Sequence, residues 1–232
     1  MISQDMDNKI KDKPILILDY DGTLHNTAYI YEPAFRSVMG ELQEEGIIPH
    51  EEYSSEEISY WIGFSAKEMW EKFHPELDEA IREAAGRRIG DKMMEAVRNG
   101  RAQLYPGTEA VLDELKKEHT LYFLSNCLDD YAAVHRKCFG LDRWFSEYFC
   151  TGYYGFRQKE EVFAENIYKP GQSYIAIGDR IKDIRLASEC GLHSVACLYG
   201  FGSEDELRTA DVMIKDISEL PDAVGKIELM MK

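Results

Sequence analysis

Ile15-Leu16-Ile17-Leu18-Asp19-Tyr20-Asp21-Gly22-Thr23-Leu24 is the stretch on which the fold turns. Four consecutive apolar residues, two of them β-branched, follow Pro14. A short continuous apolar run bounded by turn signals reads as a strand buried on both faces, as in a parallel sheet. Two carboxylates, Asp19 and Asp21, stand two residues apart at its C-terminal end, followed by Gly22 and Thr23. In open α/β sheets, ligands bind beyond that end of the strands. Taken alone, the stretch also fits a strand that closes in an acidic Asp-Gly turn.

The surroundings narrow the choice. Met1 to Lys13 is polar and charged, without an apolar segment suited to a signal peptide. No apolar run approaches membrane-spanning length. The 232 residues, 44% hydrophobic, suffice for one large domain or a domain with a smaller insert. The formal charge of −16, from 43 acids against 27 bases, argues against nucleic acid or an anionic membrane as partner. The five cysteines, Cys127, Cys138, Cys150, Cys190 and Cys197, form no Cys-x-x-Cys pair. An odd count without a secretion signal points to free thiols and a cytoplasmic protein. Nothing in the sequence sets the oligomeric state.

Downstream of the decisive stretch, residues 27–100 lose strand character. Tyr31, Ala34, Phe35, Val38, Met39 and Leu42 space as one helix face. Further helices are expected at Glu56 to Ile62, around Met69, Trp70 and Phe73, and at Leu77 to Val97, the last interrupted by Gly86 and Gly90. The segment reads as a helical insert between residues 1–26 and 101–232. After Tyr105-Pro106-Gly107 strands return: Leu121 to Leu124, Tyr148 to Cys150, Tyr174 to Ile177, His193 to Leu198 and Val212 to Ile214. Helices alternate with them around Val111 to Leu115, Asp130 to Phe139, Lys159 to Ile167 and Ile181 to Cys190, the last stopped by Gly191. This alternation predicts an α/β, three-layer, Rossmann-like parallel sheet core. Right-handed crossovers then put the strand ends on one edge.

Three of those ends carry polar groups: Asp19 and Asp21, then Ser125, then Asp179. Asp183 follows Asp179 by one helical turn and can face the same way. Lys159 opens a helix, where a cation works against the dipole, so a purely structural role suits it poorly. Singly, each has an ordinary explanation: Ser125 can cap a helix, and acids are favoured at helix N-termini. Together they make chemical sense. Carboxylates crowded into one crevice repel one another and need a cation, and an all-oxygen set suits Mg²⁺. A phosphate dianion in the same crevice needs a lysine and hydrogen-bond donors. A carboxylate can attack phosphorus, and a second one can serve as acid and then base.

The motifs Asp19-Tyr20-Asp21-Gly22-Thr23, Leu124-Ser125-Asn126, Lys159 and Gly178-Asp179-Arg180-Ile181-Lys182-Asp183 make the chain resemble the haloacid dehalogenase-like hydrolases. Within them it looks like a phosphoglycolate phosphatase-type enzyme with a helical cap, and Tyr199-Gly200-Phe201-Gly202 follows that group's habit. The resemblance implies an Mg²⁺-dependent phosphatase acting on a small phosphorylated metabolite through an aspartyl phosphate. It makes Asp19 the nucleophile and a metal ligand. Asp21 becomes the acid/base and a metal ligand through its backbone carbonyl. Ser125 and Lys159 become the phosphate binders, with Thr23 and Asn126 as lesser contacts. Asp179 becomes a direct metal ligand, and Asp183 a direct or water-mediated one. Gly63, Phe64 and Ser65 become the cap loop that sets specificity, although a turn with a core phenylalanine explains them equally well. Tyr29, Tyr60, Trp61, Trp70 and Phe73 are expected to pack inside the cap.

Two departures stand out. Many members carry Lys-Pro-x-Pro where this chain has Lys159-Glu160-Glu161-Val162, leaving Arg157 and Lys169 as substitutes for Lys159. Many also carry Asp and Ser where this chain has Asn26 and Thr27. A dehalogenase needs neither the acid nor the metal, so Asp21 and Asp179 speak against it. A sugar-phosphate mutase differs only in its cap and stays open. So does a non-catalytic phosphate-binding protein, which would be expected to have lost one of these groups.

Overall fold

The computed structural model describes residues 13–232. The N-terminal segment expected to lack a signal peptide therefore lies, but for Lys13, outside the described residues. Six parallel strands form one sheet in the order β3-β2-β1-β4-β5-β6. They are β1 (Ile15–Leu18), β2 (Leu121–Ser125), β3 (Phe145–Cys150), β4 (Tyr174–Gly178), β5 (His193–Cys197) and β6 (Val212–Ile214). All four residues of β1 are buried, because both neighbours and both faces are covered. Leu16 and Leu18 face one core with Phe123, Ile175 and Val195. Ile15 and Ile17 face the other with Tyr122, Val162, Phe163 and Leu186. That alternation makes the three layers.

β1 pairs with β2 on one side and β4 on the other. The chain runs outward through β2 and β3, then crosses back to β4, so the strand order reverses beside β1. A crevice opens at such a point, beyond the strands' C-terminal ends.

Between β1 and β2 lie α1 (Ala28–Glu44), α2 (Ser55–Ser59), α3 (Ala66–Phe73) and α4 (Glu79–Arg98). They enclose a hydrophobic cluster of their own, with Phe35, Val38, Leu42, Met69, Trp70 and Ile89 at its centre. The two segments joining these helices to the sheet pair with each other: Asn26 N donates to Gln103 O and Tyr105 N to Leu24 O, each at 2.9 Å. The remaining helices are α5 (Thr108–Leu115), α6 (Asp129–Phe139), α7 (Lys159–Val162), α8 (Ile181–Cys190), α9 (Glu204–Leu207) and α10 (Leu220–Met230).

Several expectations need correction. Gly86 and Gly90 do not interrupt α4, which runs through both. At Gly86 the reason is packing: a Cβ would lie 3.2 Å from Ala66 Cβ and 3.4 Å from Trp70 Nε1. Gly90 has nothing within 4 Å of where a Cβ would stand. Tyr29 and Tyr60 are not cap core; they are 54% and 53% exposed. Trp70, in contrast, is fully enclosed. Helix α10 was not anticipated, though Leu220, Ala223, Val224 and Ile227 repeat at helical spacing and are all buried. No helix of the described residues is long and apolar enough to cross a membrane.

The two glycines give a contrasting pair. Gly90→Ala should stabilise the protein by about 0.5–1 kcal/mol through helix propensity alone. Gly86→Ala should gain less or lose stability, because its methyl group meets Ala66. Urea denaturation of both variants checks this, and equal gains would contradict the packing assigned to Gly86.

Candidate active site

Asp19 follows β1 directly, and its amide continues the ladder by donating to Ile177 O at 2.9 Å. Asp179 follows β4, and Asp183 lies in the first turn of α8. The three are buried, and one oxygen from each lies within 4.8 Å of the others. Lys159 reaches the same point from the start of α7. Its Nζ donates to Asp19 Oδ1 at 2.8 Å and to Asp183 Oδ1 at 2.5 Å. The substitutes weighed for it are engaged elsewhere. Arg157 binds Glu165, and Lys169 lies at the surface near Tyr122.

The electrostatics follow from burial. Desolvation pushes the Asp19 carboxyl up to about 6; the Lys159 charge opposes this and the Asp183 charge adds to it. Burial, then the charges of Asp19 and Asp183, raises Asp179 well above the usual carboxylate range. Burial pushes Lys159 down, but Asp183 and Asp19 outweigh it and hold the ammonium form. One lysine cannot satisfy three carboxylates. The all-oxygen donor set of Asp19, Asp179 and Asp183, with charge left uncompensated, fits Mg²⁺.

Glycines hold Asp179 in place. A Cβ at Gly22, where φ is +87°, would sit 2.2 Å from Asp179 Oδ2. One at Gly200 would sit 2.3 Å from Asp179 Cβ, and one at Gly202 would sit 2.0 Å from its backbone oxygen. Phe201 N donates to Asp179 Oδ2 at 2.7 Å, and Thr23 Oγ1 donates to Oδ1 at 3.1 Å. Asp183 Oδ2 accepts from Arg180 N at 3.0 Å, closing the first turn of α8.

The structure puts two expected phosphate contacts to other uses. Thr23 is fully buried behind Asp179 and serves that carboxylate. Asn126 is engaged at both ends: its Nδ2 donates to Gly63 O at 3.1 Å, and its Oδ1 accepts from Thr151 at 2.6 Å. Ser125, at the end of β2, is buried and lines the same cavity as Asp19, Asp21 and Lys159.

Asp21 Oδ1 accepts from Thr27 Oγ1 at 2.7 Å and from Tyr131 OH at 2.7 Å. His25 Nδ1 lies 3.0 Å from the same oxygen; a carboxylate only accepts, so that nitrogen carries the proton. Burial pushes Asp21 up, but hydrogen bonds from His25 and Thr27 reverse this and hold it below the usual carboxylate range. Tyr131 and His25 were missed. Tyr131 projects from α6, and only its place on the face turned toward the strand ends could have singled it out.

The expected cap loop meets the sheet core here. Gly63 has φ of +92°, and its carbonyl is the acceptor of Asn126. Arg180 Nη1 donates to Tyr60 O at 3.1 Å and to Ile62 O, while Nε donates to Glu206 at 3.0 Å. Lys182 donates to Glu68 Oε2 at 2.8 Å. Ser65 caps α3 in a capping box with that same Glu68, so its hydroxyl is committed to the helix start. Phe64 packs against the cap cluster, with the Arg180 guanidinium 5.1 Å from its ring centre, and also lines the cavity.

The family model described as haloacid dehalogenase-like hydrolase matches residues 16–197. The chain belongs to the haloacid dehalogenase-like hydrolases. This hydrolase is 25% identical over 220 residues to a protein of Agrobacterium fabrum named phosphoglycolate phosphatase, covering 91% of this chain and 92% of the other. It is 32% identical over 111 residues to a 5'-nucleotidase of Pseudomonas aeruginosa; that match spans 46% of this chain and half, 50%, of the relative. Among solved structures, a haloacid dehalogenase-like family protein from Streptococcus pneumoniae superposes with a TM-score of 0.74 at 19% identity, over 91% of this chain and 98% of that one. A β-phosphoglucomutase from Clostridium difficile does so with 0.71 at 14%, over 94% and 99%. These structural likenesses concern the fold of the hydrolase.

Gly200→Ala should displace Asp179 and lower turnover by at least about tenfold, with the fold retained, since a misplacement near 1 Å can cost far more. Tyr131→Phe should act differently: it removes a donor that favours the Asp21 carboxylate, so aryl phosphates, which need no acid for departure, should lose more than esters of poor leaving groups. Steady-state kinetics with an alkyl and an aryl phosphate check both. An equal loss on the two esters would contradict the role given to Tyr131.

Proposed function

We propose that this hydrolase is an Mg²⁺-dependent phosphatase that cleaves a phosphate monoester of a small metabolite through an aspartyl phosphate on Asp19. The observation that carries the reading is the Lys159 ammonium set between Asp19 and Asp183 at the strand ends. A cation there neutralises the nucleophile and faces an incoming dianion. The relative named phosphoglycolate phosphatase, alignable over nearly the whole chain, supports the same reaction class.

Asp19, Asp179 and the backbone carbonyl of Asp21 would hold Mg²⁺, with Asp183 supporting them. When bound, the ion supplies positive charge against the phosphoryl oxygens and the carboxylates. The Ser125 hydroxyl and Lys159 orient the phosphoryl group, and Asp19 attacks phosphorus. The P–O bond to the alcohol breaks, and the departing oxygen takes a proton from Asp21. Asp21 then removes a proton from the water that hydrolyses the acyl phosphate. The donors on Asp21 favour its carboxylate, which suits this second half. An arriving phosphate dianion raises its proton affinity for the first half. The helices of residues 27–100 act as a cap, and its loop at Gly63 closes over the crevice. All five cysteines are free, in keeping with a reducing cytoplasm.

Purified protein should release phosphate from p-nitrophenyl phosphate with Mg²⁺, stop in excess chelator and recover when Mg²⁺ is restored. Asp19→Asn should lower the rate by at least about a thousandfold while the protein stays folded. Full activity in chelator would overturn the metal assignment, and an active Asp19→Asn protein free of deamidation would overturn the nucleophile.

A further inference from the structure

The crevice does not end at the phosphate site. It continues between cap and core as a cavity of about 840 Å³. That volume remains although the Gly63 loop is already seated on the core through Asn126, Arg180 and Lys182. A two-carbon phosphate ester such as phosphoglycolate has ~9 non-hydrogen atoms; even at ~30 Å³ each, the share of a water molecule in the liquid, it fills about a third of this space. Cavities of this size ordinarily enclose much larger ligands.

The charges point the same way. The carboxylate of such an ester would lie close to the phosphoryl group and would need its own cation. The cations at that end are engaged within the protein. Lys159 binds Asp19 and Asp183, Arg180 binds Glu206 and cap carbonyls, and Lys182 binds Glu68. Farther out, Lys67 pairs with Glu71 and Arg87 with Glu83, while Arg82 and Arg98 line the walls together with Glu79, Asp91 and Asp130.

The remaining walls are aromatic and apolar. Trp61 and Phe64 come from the cap loop, Met93 and Met94 from α4, and Tyr131 and Val134 from α6. Gly90 lies on the α4 face that lines the cavity. A glycine inside a helix is less favourable there than an alanine. Gly86 has a packing reason for its missing side chain, whereas Gly90 borders only open space.

We infer that the site takes phosphate monoesters of bulky, ring-bearing alcohols, and that Gly90 leaves the room their rings occupy. Aromatic walls stack on flat rings, and methionines adapt to their edges. This rests on the phosphatase reading and adds the class of alcohol to it.

Phosphate release with Mg²⁺ is measured for p-nitrophenyl phosphate, phosphoglycolate, glycerol 3-phosphate, 1-naphthyl phosphate and nucleoside 5'-monophosphates. The inference expects at least one ring-bearing ester larger than p-nitrophenyl phosphate to exceed phosphoglycolate and glycerol 3-phosphate at least tenfold in kcat/KM. Gly90→Leu, which keeps a good helix former, should lower the ratio of large-ring to small-ester kcat/KM at least tenfold. Gly90→Ala should leave that ratio within about twofold, and neither variant should melt below the parent. Release from p-nitrophenyl phosphate with phosphoglycolate or glycerol 3-phosphate preferred overturns the inference and leaves the phosphatase reading standing. So does a Gly90→Leu variant that loses equally on all esters. No release from any ester overturns the phosphatase reading, and the inference falls with it.

Discussion

Three buried carboxylates, Asp19, Asp179 and Asp183, converge where β1 and β4 end, and Lys159 is the lysine placed among them. Such crowding is unstable without compensation, and much of the surrounding structure can be understood as supplying it. α7 begins at Lys159, so a cation stands at a helix start where the dipole opposes it. Asp19 and Asp183 outweigh that penalty. Gly22, Gly200 and Gly202 make space around Asp179 that any side chain would fill, and Thr23 and the Phe201 amide fix its two oxygens. The all-oxygen cluster that remains could hold a divalent cation.

The same loops that carry the carboxylates hold the inserted helices. Arg180 stands next to Asp179, Lys182 next to Asp183 and Asn126 next to Ser125, and each reaches the segment from Tyr60 to Glu68. The position of that segment and the geometry of the carboxylates are therefore coupled, because each contact is made by a residue adjoining Asp179, Asp183 or Ser125. Asp21 is tied to the connecting segment as well, through His25 and Thr27. Under the proposed mechanism, a substrate that bridges the helical insert and the core would act on the surroundings of Asp19 and on Asp21 together.

The sheet was legible because its central strands are continuous apolar runs, and because the polar groups ending them recur at strand ends rather than at random. The Asp19, Lys159 and Asp183 contacts join residues up to 140 positions apart, yet topology alone brings them to one edge. Other features were not readable in this way. Thr23 and Asn126 are short polar groups whose partners depend on which backbone approaches in three dimensions. Gly86 looked like a helix break because propensity acts locally, whereas the contact with Ala66 and Trp70 that favours glycine is tertiary. Tyr131 carries no motif; its hydroxyl matters only because α6 lies across the crevice from Asp21. Helix α10 was simply overlooked, since its apolar spacing is plain.

The central claim is that Asp19 accepts the phosphoryl group. The direct measurement is borohydride reduction of the Asp21→Asn protein during turnover of an aryl phosphate, followed by peptide mass analysis. Without a base to activate water, the acyl phosphate should persist, and reduction should leave homoserine at position 19. Homoserine or its glutamate-derived counterpart at any other carboxylate, with position 19 unmodified, would contradict the account.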